Sequence, residues 1–350
     1  MNLEAITDYL RDYRGNVKIM EVCGTHTSSI VKNGIRPLLA GGIRLVSGPG
    51  CPVCVTPASD IDALIDLAEE AEILSFGDMF RVPGCGVSLS DAKARGAKVR
   101  LMYSPFEVIP LAKSRPENRF VVAAVGFETT APVYAALLEA LERENIENVT
   151  LYTALKTMPE ILDYVCSTEA VDGFISPGHV SAVIGGAAYE PLCEKFGKPF
   201  VIAGFEAGHI LAAIYDIARQ IEAGRHEVKN LYPSVVSRGG QTAALALIDK
   251  YFEKSDSFWR GIGLIKGSGY AIRGEYARFS ANRAYNETQN NPYAEISEAL
   301  PAGCRCADVM LGRILPDECP LFGKACTPRH PVGACMVSSE GACGVWERGF

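Results

Sequence analysis

One stretch near the start of the chain limits the folds open to it. Residues 18–54 read KIMEVCGTHTSSIVKNGIRPLLAGGIRLVSGPGCPVC. Residues 18–22 form a strand-like run that stops at Cys23-Gly24-Thr25-His26-Thr27. A helical segment and a second strand at about 43–47 follow, and that strand runs into Gly48-Pro49-Gly50-Cys51-Pro52-Val53-Cys54. Strand, helix and strand in this order make a parallel pair, and α/β proteins place their chemistry at the C-terminal edge of such strands. Cys23, His26, Cys51 and Cys54 are therefore expected on one edge. Together they are a soft-ligand set suited to iron, zinc or thiol redox work.

The same alternation continues. Strands are expected at 73–76, 98–103, 120–125, 150–153, 173–175 and 200–203. Helices are expected between them, and a short amphipathic helix at 3–14 carries Leu3, Ile6, Tyr9, Leu10 and Tyr13 at helical spacing. A polar stretch around Pro110, Ser114, Pro116 and Asn118 reads as a linker. The expected architecture is α/β with parallel sheets in two consecutive domains, 17–114 and 115–225. A third, Cys-rich module spans 226–350, joined by the N-terminal helix 1–16.

Composition narrows the function. The 350 residues carry a net charge of −7 and no Lys/Arg-rich run, which argues against nucleic acid or an anionic membrane as the main partner. The N-terminus is acidic and lacks the apolar core of a signal peptide. No apolar run approaches the roughly 18 residues of a membrane span. A cytoplasmic protein is expected. Twelve cysteines in a reducing compartment point to metal binding or redox chemistry rather than a disulfide framework.

Six of those cysteines, Cys304, Cys306, Cys319, Cys326, Cys335 and Cys343, crowd into the C-terminal loops. Four thiolates suit either zinc or an iron–sulfur cluster. Structural zinc favours tight pairs, whereas six residues separate Cys319 from Cys326 and sixteen separate Cys326 from Cys343. The spacing leans toward a cluster and leaves zinc or unliganded thiols open.

Cys51 and Cys54 form a C-x-x-C at a helix start, where free N–H groups favour a thiolate. The pair can cycle between dithiol and disulfide, bind metal, or be inert in a tight turn. Cys23 with His26 gains weight from that neighbouring pair. Alone, a small buried thiol and a structural histidine would explain them. Asp78, after the third strand, is expected on the same edge, with helix capping as its alternative. Gly126-Phe127-Glu128-Thr129-Thr130 opens onto a helix and could hold an anion at its start, although it lacks a P-loop lysine. An N-cap is the simpler role for Thr129 or Thr130. Glu128, Thr129 and Thr130, with His179 in its Pro177-Gly178 loop, are the candidate cofactor-binding residues. Cys166 and Cys193 read as core. Cys85 has no assignment.

Taken together these motifs resemble the HypD family, the scaffold proteins of [NiFe]-hydrogenase maturation. The resemblance rests on Cys23-Gly24-Thr25-His26, Gly48-Pro49-Gly50-Cys51-Pro52-Val53-Cys54, Gly77-Asp78, Gly126-Phe127-Glu128-Thr129-Thr130 and Pro177-Gly178-His179-Val180-Ser181. In the tail it rests on Cys319-Pro320-Leu321-Phe322-Gly323 and Met336-Val337-Ser338-Ser339-Glu340-Gly341-Ala342-Cys343. It implies two Rossmann-like domains and a C-terminal iron–sulfur domain. The family's cluster spacing falls on Cys306, Cys319, Cys326 and Cys343 for a [4Fe–4S] cluster. Cys335 is a candidate substitute, and Cys304 is left over.

The resemblance further implies that Cys23 holds a transient iron carrying cyanide and carbonyl, Fe(CN)2CO. A small HypC-type partner shares that iron, and a HypE-type partner supplies cyanide. Cluster and C-x-x-C together resemble ferredoxin–thioredoxin reductase. The expected function is a redox-active assembly scaffold rather than a freestanding turnover enzyme. The rivals are a stand-alone iron–sulfur disulfide reductase and a nucleotide-hydrolysing enzyme built on the 126–130 loop.

Overall fold

The computed structural model describes residues 2–288 and 300–349. Eleven strands run in chain order: β1 Val17–Glu21, β2 Ile43–Ser47, β3 Glu72–Ser75, β4 Val99–Leu101, β5 Phe120–Gly126, β6 Val149–Leu155, β7 Gly173–Pro177, β8 Phe200–Ala203, β9 Val228–Asn230, β10 Phe252–Trp259 and β11 Gly263–Ile272. The first nine make two all-parallel sheets with helices in the connections, as the strand-and-helix alternation demands. All eight expected strands are present, with ends shifted by a residue or two.

The grouping of those strands differs from the expected consecutive domains. One sheet has the order β2-β1-β7-β8-β9 and the other β4-β3-β5-β6. The chain leaves the first sheet after β2, builds the second, and returns with β7 beside β1, where Ile19 faces Gly173. Accordingly, one compact unit holds residues Met1–Cys51, Met158–Thr242 and Ala302–Phe350. The other holds Pro52–Thr157 and Ala243–Pro301. No boundary falls at 114 or 225. The Cys-rich tail is part of the first unit rather than a third domain. Periodicity identifies a buried parallel strand, but the partner of that strand is chosen by tertiary packing.

In the first unit the helix Ala207–Glu222 lies on the sheet and buries Ile210, Ile214 and Ile217 against Ile19, Leu45, Ile175 and Val201. The N-terminal helix Leu3–Asp12, capped by Asn2 Oδ1 accepting from Glu4 N at 3.0 Å, packs on that helix through Ile6 and Leu10. It therefore serves the first sheet's core and not a Cys module. In the second unit β5 is buried along its whole length. An antiparallel hairpin, β10–β11, was not apparent from the sequence. Its strands pair from Phe252–Ile272 to Trp259–Gly263 with a bulge between Ser255 and Ser257.

Candidate metal and thiol site

β1 ends at Glu21, and two residues later Cys23 sits in extended backbone (φ −153°, ψ 124°) as the N-cap of the helix Gly24–Lys32. The residue is half-buried, and burial of the sulfur pushes the thiol up to about 11. The N–H groups of His26 and Thr25 pull it back only part of the way, and the Glu21 carboxylate adds to the rise. Burial thus keeps Cys23 a thiol in this chain alone.

Glu21 was not singled out in the sequence. Its carboxyl is buried, accepts the Cys23 N–H at 3.1 Å and the Thr27 hydroxyl at 2.5 Å, and is raised by burial to about 7. An acid directly after the apolar pair Ile19-Met20, at the C-terminal end of the strand, was the available signal.

His26 lies in the first turn of the helix, and it is fully buried. Nε2 donates to Gly204 O at 3.0 Å, and the ring sits 4.8 Å from Phe205. Burial lowers the imidazole to about 4, so it is neutral at pH 7, with the lone pair on Nδ1. The unfolded chain takes up this proton at about 6.5, and the folded chain only near 4. Stability from this group is complete above pH 6.5 and should fall by about 3 kcal/mol as pH drops toward 4. Glu21 has the opposite sign, contributing most below 4.5 and losing that contribution as pH rises through 7. Denaturant melts of wild type and His26→Gln between pH 4 and 7 should show the acid-side decline flattened in the variant. An undiminished decline would contradict this assignment.

The 48–54 loop folds across the end of β1. Gly48 N donates to Glu21 O at 2.7 Å. A Cβ on Gly50 would lie 2.3 Å from Val22 C and 2.4 Å from Cys23 N, so only glycine allows this approach. The two thiol-bearing loops are thereby in backbone contact, as adjacent parallel strands required. Cys51 and Cys54 are buried and joined as a disulfide, with the short helix Pro52–Val55 following Cys51.

The loops after β7 and β8 reach the same edge. His179 is exposed in the first turn of the helix Gly178–Ile184, and its ring lies 4.1 Å from Phe205. His26 and His179 therefore flank one phenylalanine. Asp78 is exposed in the turn Gly77–Arg81 after β3, which belongs to the other sheet and not to the sheet of β1 and β2. Glu128, Thr129 and Thr130 also lie in the second unit, after β5. Glu128 is buried there, and the Thr130 hydroxyl donates to Phe127 O at 3.2 Å. A buried carboxyl at this helix start opposes a phosphate.

The six tail thiols converge. Cys306 opens the helix Cys306–Met310, Cys335 lies in Ala334–Val337 and Cys343 in Ala342–Arg348, with Cys319 and Cys326 in the connections. The Cys304 thiol donates to Cys306 Sγ at 3.1 Å, and Val332 N donates to Cys326 Sγ at 3.3 Å. Hydrogen bonds from Cys306 and Cys335 lower Cys343 to about 5, while Cys335 is raised. A Cβ on Gly333 would lie 2.4 Å from Cys306 Sγ, so glycine leaves the sulfurs room. The thiols lie against one another, and among the described residues no three Cys, His, Asp or Glu side chains surround a single-ion position. The donor chemistry, all sulfur with one thiolate already favoured, fits an iron–sulfur cluster.

This tail packs on the helix that Cys23 caps. The helix Ala342–Arg348 lies against Gly24–Lys32, and a Cβ on Gly24 would come within 2.4 Å of Glu340 O. The Arg36 guanidinium sits 4.4 Å over the Trp346 ring. Cys166 and Cys193 are buried in helices, as expected, and Cys85 is exposed in the second unit. Among the described residues no helix is long and apolar enough to cross a membrane.

Comparison with known proteins places this arrangement. Residues 2–349 match the family model described as the HypD, hydrogenase formation hypA family. The hydrogenase maturation factor HypD of Rhodobacter capsulatus is 42% identical, across 95% of this chain and 89% of its own length. That of Azotobacter vinelandii is 41% identical, across 98% and 91%. That of Cupriavidus necator is 39% identical, across 93% and 87%. The chain belongs to the HypD family of hydrogenase maturation factors.

Proposed function

We propose that this maturation factor is a scaffold on which an iron carrying cyanide and carbonyl, Fe(CN)2CO, is assembled, in complex with a HypC-type partner. The observation that carries the reading is the meeting at Cys23. Its peptide touches the Gly50 loop on one side, and the next residue, Gly24, touches Glu340 of the Cys-rich tail on the other. Cys23 binds the iron as substrate, and the metal's charge replaces the thiol proton that burial otherwise retains. Glu21 Oε2, bonded to the Cys23 N–H and titrating near neutrality, is the acceptor at hand for that proton. His26, neutral and fixed on Gly204 O, holds the start of the helix in place.

Cys51 and Cys54 take up two electrons and two protons as the disulfide opens to two thiols. Cys306, Cys319, Cys326 and Cys343 would hold a [4Fe–4S] cluster, and a cluster bound there would provide one-electron reducing chemistry. A HypE-type protein donates the cyanide groups, and the setting is cytosolic. Phosphate binding at Glu128, Thr129 and Thr130 is not part of this reading. An infrared spectrum of the chain co-purified with its HypC-type partner tests it. Cyanide and carbonyl stretches are expected. A complex without them, still reducing disulfides, would instead be a stand-alone reductase.

A further inference from the structure

The second unit contains a cavity of about 330 Å³ that none of the motifs uses. Its wall includes Tyr152, Thr153 and Leu155 of β6, Lys156 just after that strand, and residues of the β10–β11 hairpin. Lys156 is buried and rigidly held. Its N–H donates to Gly126 O at 2.9 Å, and the next N–H, of Thr157, donates to Ser268 O at 2.9 Å. Among the described residues its ammonium makes one hydrogen bond, 2.6 Å to Ser257 Oγ at the bulge of the β10–β11 hairpin.

Asp60, on the helix Ala58–Leu67, is the nearby countercharge. Asp60 Oδ1 accepts from the Tyr152 hydroxyl at 3.0 Å. The two charges are thus each bonded to a hydroxyl instead of to one another. Burial draws the Lys156 ammonium down and pushes the Asp60 carboxyl up, which is a cost that a purely structural pair would remove by closing.

A group placed between them must accept from Lys156 and donate to Asp60. A hydroxyl does both. A phosphate or carboxylate would satisfy Lys156 but face Asp60 and also Asp256, whose Oδ1 is fixed by Gly267 N at 2.9 Å. An ammonium would face Lys156. Aromatic rings of Phe258, Tyr270 and Tyr285 supply apolar surface for a ring's C–H face. The volume is at the small end of ligand sites, about 300–1,000 Å³, and so suits a single sugar ring better than a dinucleotide.

We propose that this cavity binds a neutral polyhydroxylated ligand, a free sugar or the ribose of a nucleoside, through adjacent hydroxyls set between Lys156 and Asp60. The proposal is independent of the iron chemistry above. It is tested on the full chain with D-ribose, adenosine and inorganic phosphate, by ligand-observed NMR and calorimetry. Ribose or adenosine should bind and phosphate should not. Whichever of the two binds distinguishes the free sugar from the nucleoside. Asp60→Asn and Lys156→Met should weaken binding by at least about tenfold. Ser257→Ala and Tyr152→Phe, milder changes whose melting curves report folding, should weaken it less. Binding of phosphate alone would make this an anion site. Binding unchanged in all four variants would place the ligand elsewhere. Absence of ribose and adenosine binding to wild type would leave Lys156 and Asp60 a structural pair. Each of these three results overturns the proposal.

Discussion

Cys343→Ser should bleach the protein and loosen the whole C-terminal segment. Anaerobically purified wild type should be brown and carry about four irons per chain. The segment from Ala302 onward has only short helices joined by loops, so a cluster tying its sulfurs together would add to the apolar packing that holds it. Cys343 is the thiol most ready to ionise, held near 5 by hydrogen bonds from Cys306 and Cys335. Removing it takes away the best thiolate donor and exposes the contact between the helices Ala342–Arg348 and Gly24–Lys32. Cys319→Ala and Cys326→Ala should bleach the protein equally. Cys335→Ala should keep its four irons if the implied set of Cys306, Cys319, Cys326 and Cys343 is right. Iron analysis and the visible spectrum decide. A colourless wild type with one stoichiometric zinc would contradict the cluster.

The second large effect concerns Cys51 and Cys54. The folded chain holds them as a disulfide, and both are buried. Thiol trapping of the intact protein should leave this pair unlabelled under oxidising conditions. Both sulfurs should become alkylated together once two electrons are supplied, with a midpoint that a single two-electron couple fits. Cys51→Ser or Cys54→Ser should abolish that couple and stop maturation of a hydrogenase. The fold should survive, because the Gly50 approach to Val22 and Cys23 does not use either sulfur. Equal labelling at every potential would remove the redox role and leave the pair structural.

Much of this site could be read before the fold was seen, and the reasons are local. A strand ending in Cys-Gly-Thr-His and another ending in Gly-Pro-Gly-Cys are each self-contained signals. Parallel pairing of β1 with β2, Glu21 opposite Ser47, then follows from the short helical connection. What failed was long-range. Nothing in residues 17–47 announces that Ile19 will pair with Gly173 rather than with a strand of the next hundred residues. Asp78 was misplaced for this reason, since β3 pairs with β4 and β5 in the other sheet.

The hairpin was hidden by its own irregularity. Gly261, Gly263 and Gly267 adopt positive φ, and the bulge near Ser257 breaks the period-two pattern. Glu21 and Lys156 were missed because a charge at the end of a strand run reads as the strand's end. Only the structure shows them buried. The protonation of Cys23 was not legible in the sequence, because burial of a sulfur depends on which loops close over it.

The measurement that bears most directly on the central claim is the infrared spectrum of Cys23→Ala co-purified with the HypC-type partner, beside wild type. The Cys23 side chain makes no cap hydrogen bond, so loss of this half-buried sulfur should cost only about 1 kcal/mol and leave the fold and the brown tail intact. Wild type should show cyanide and carbonyl stretches, and Cys23→Ala should show none at full cluster occupancy. A Cys23→Ala complex that keeps those bands would take Cys23 out of the assembly site.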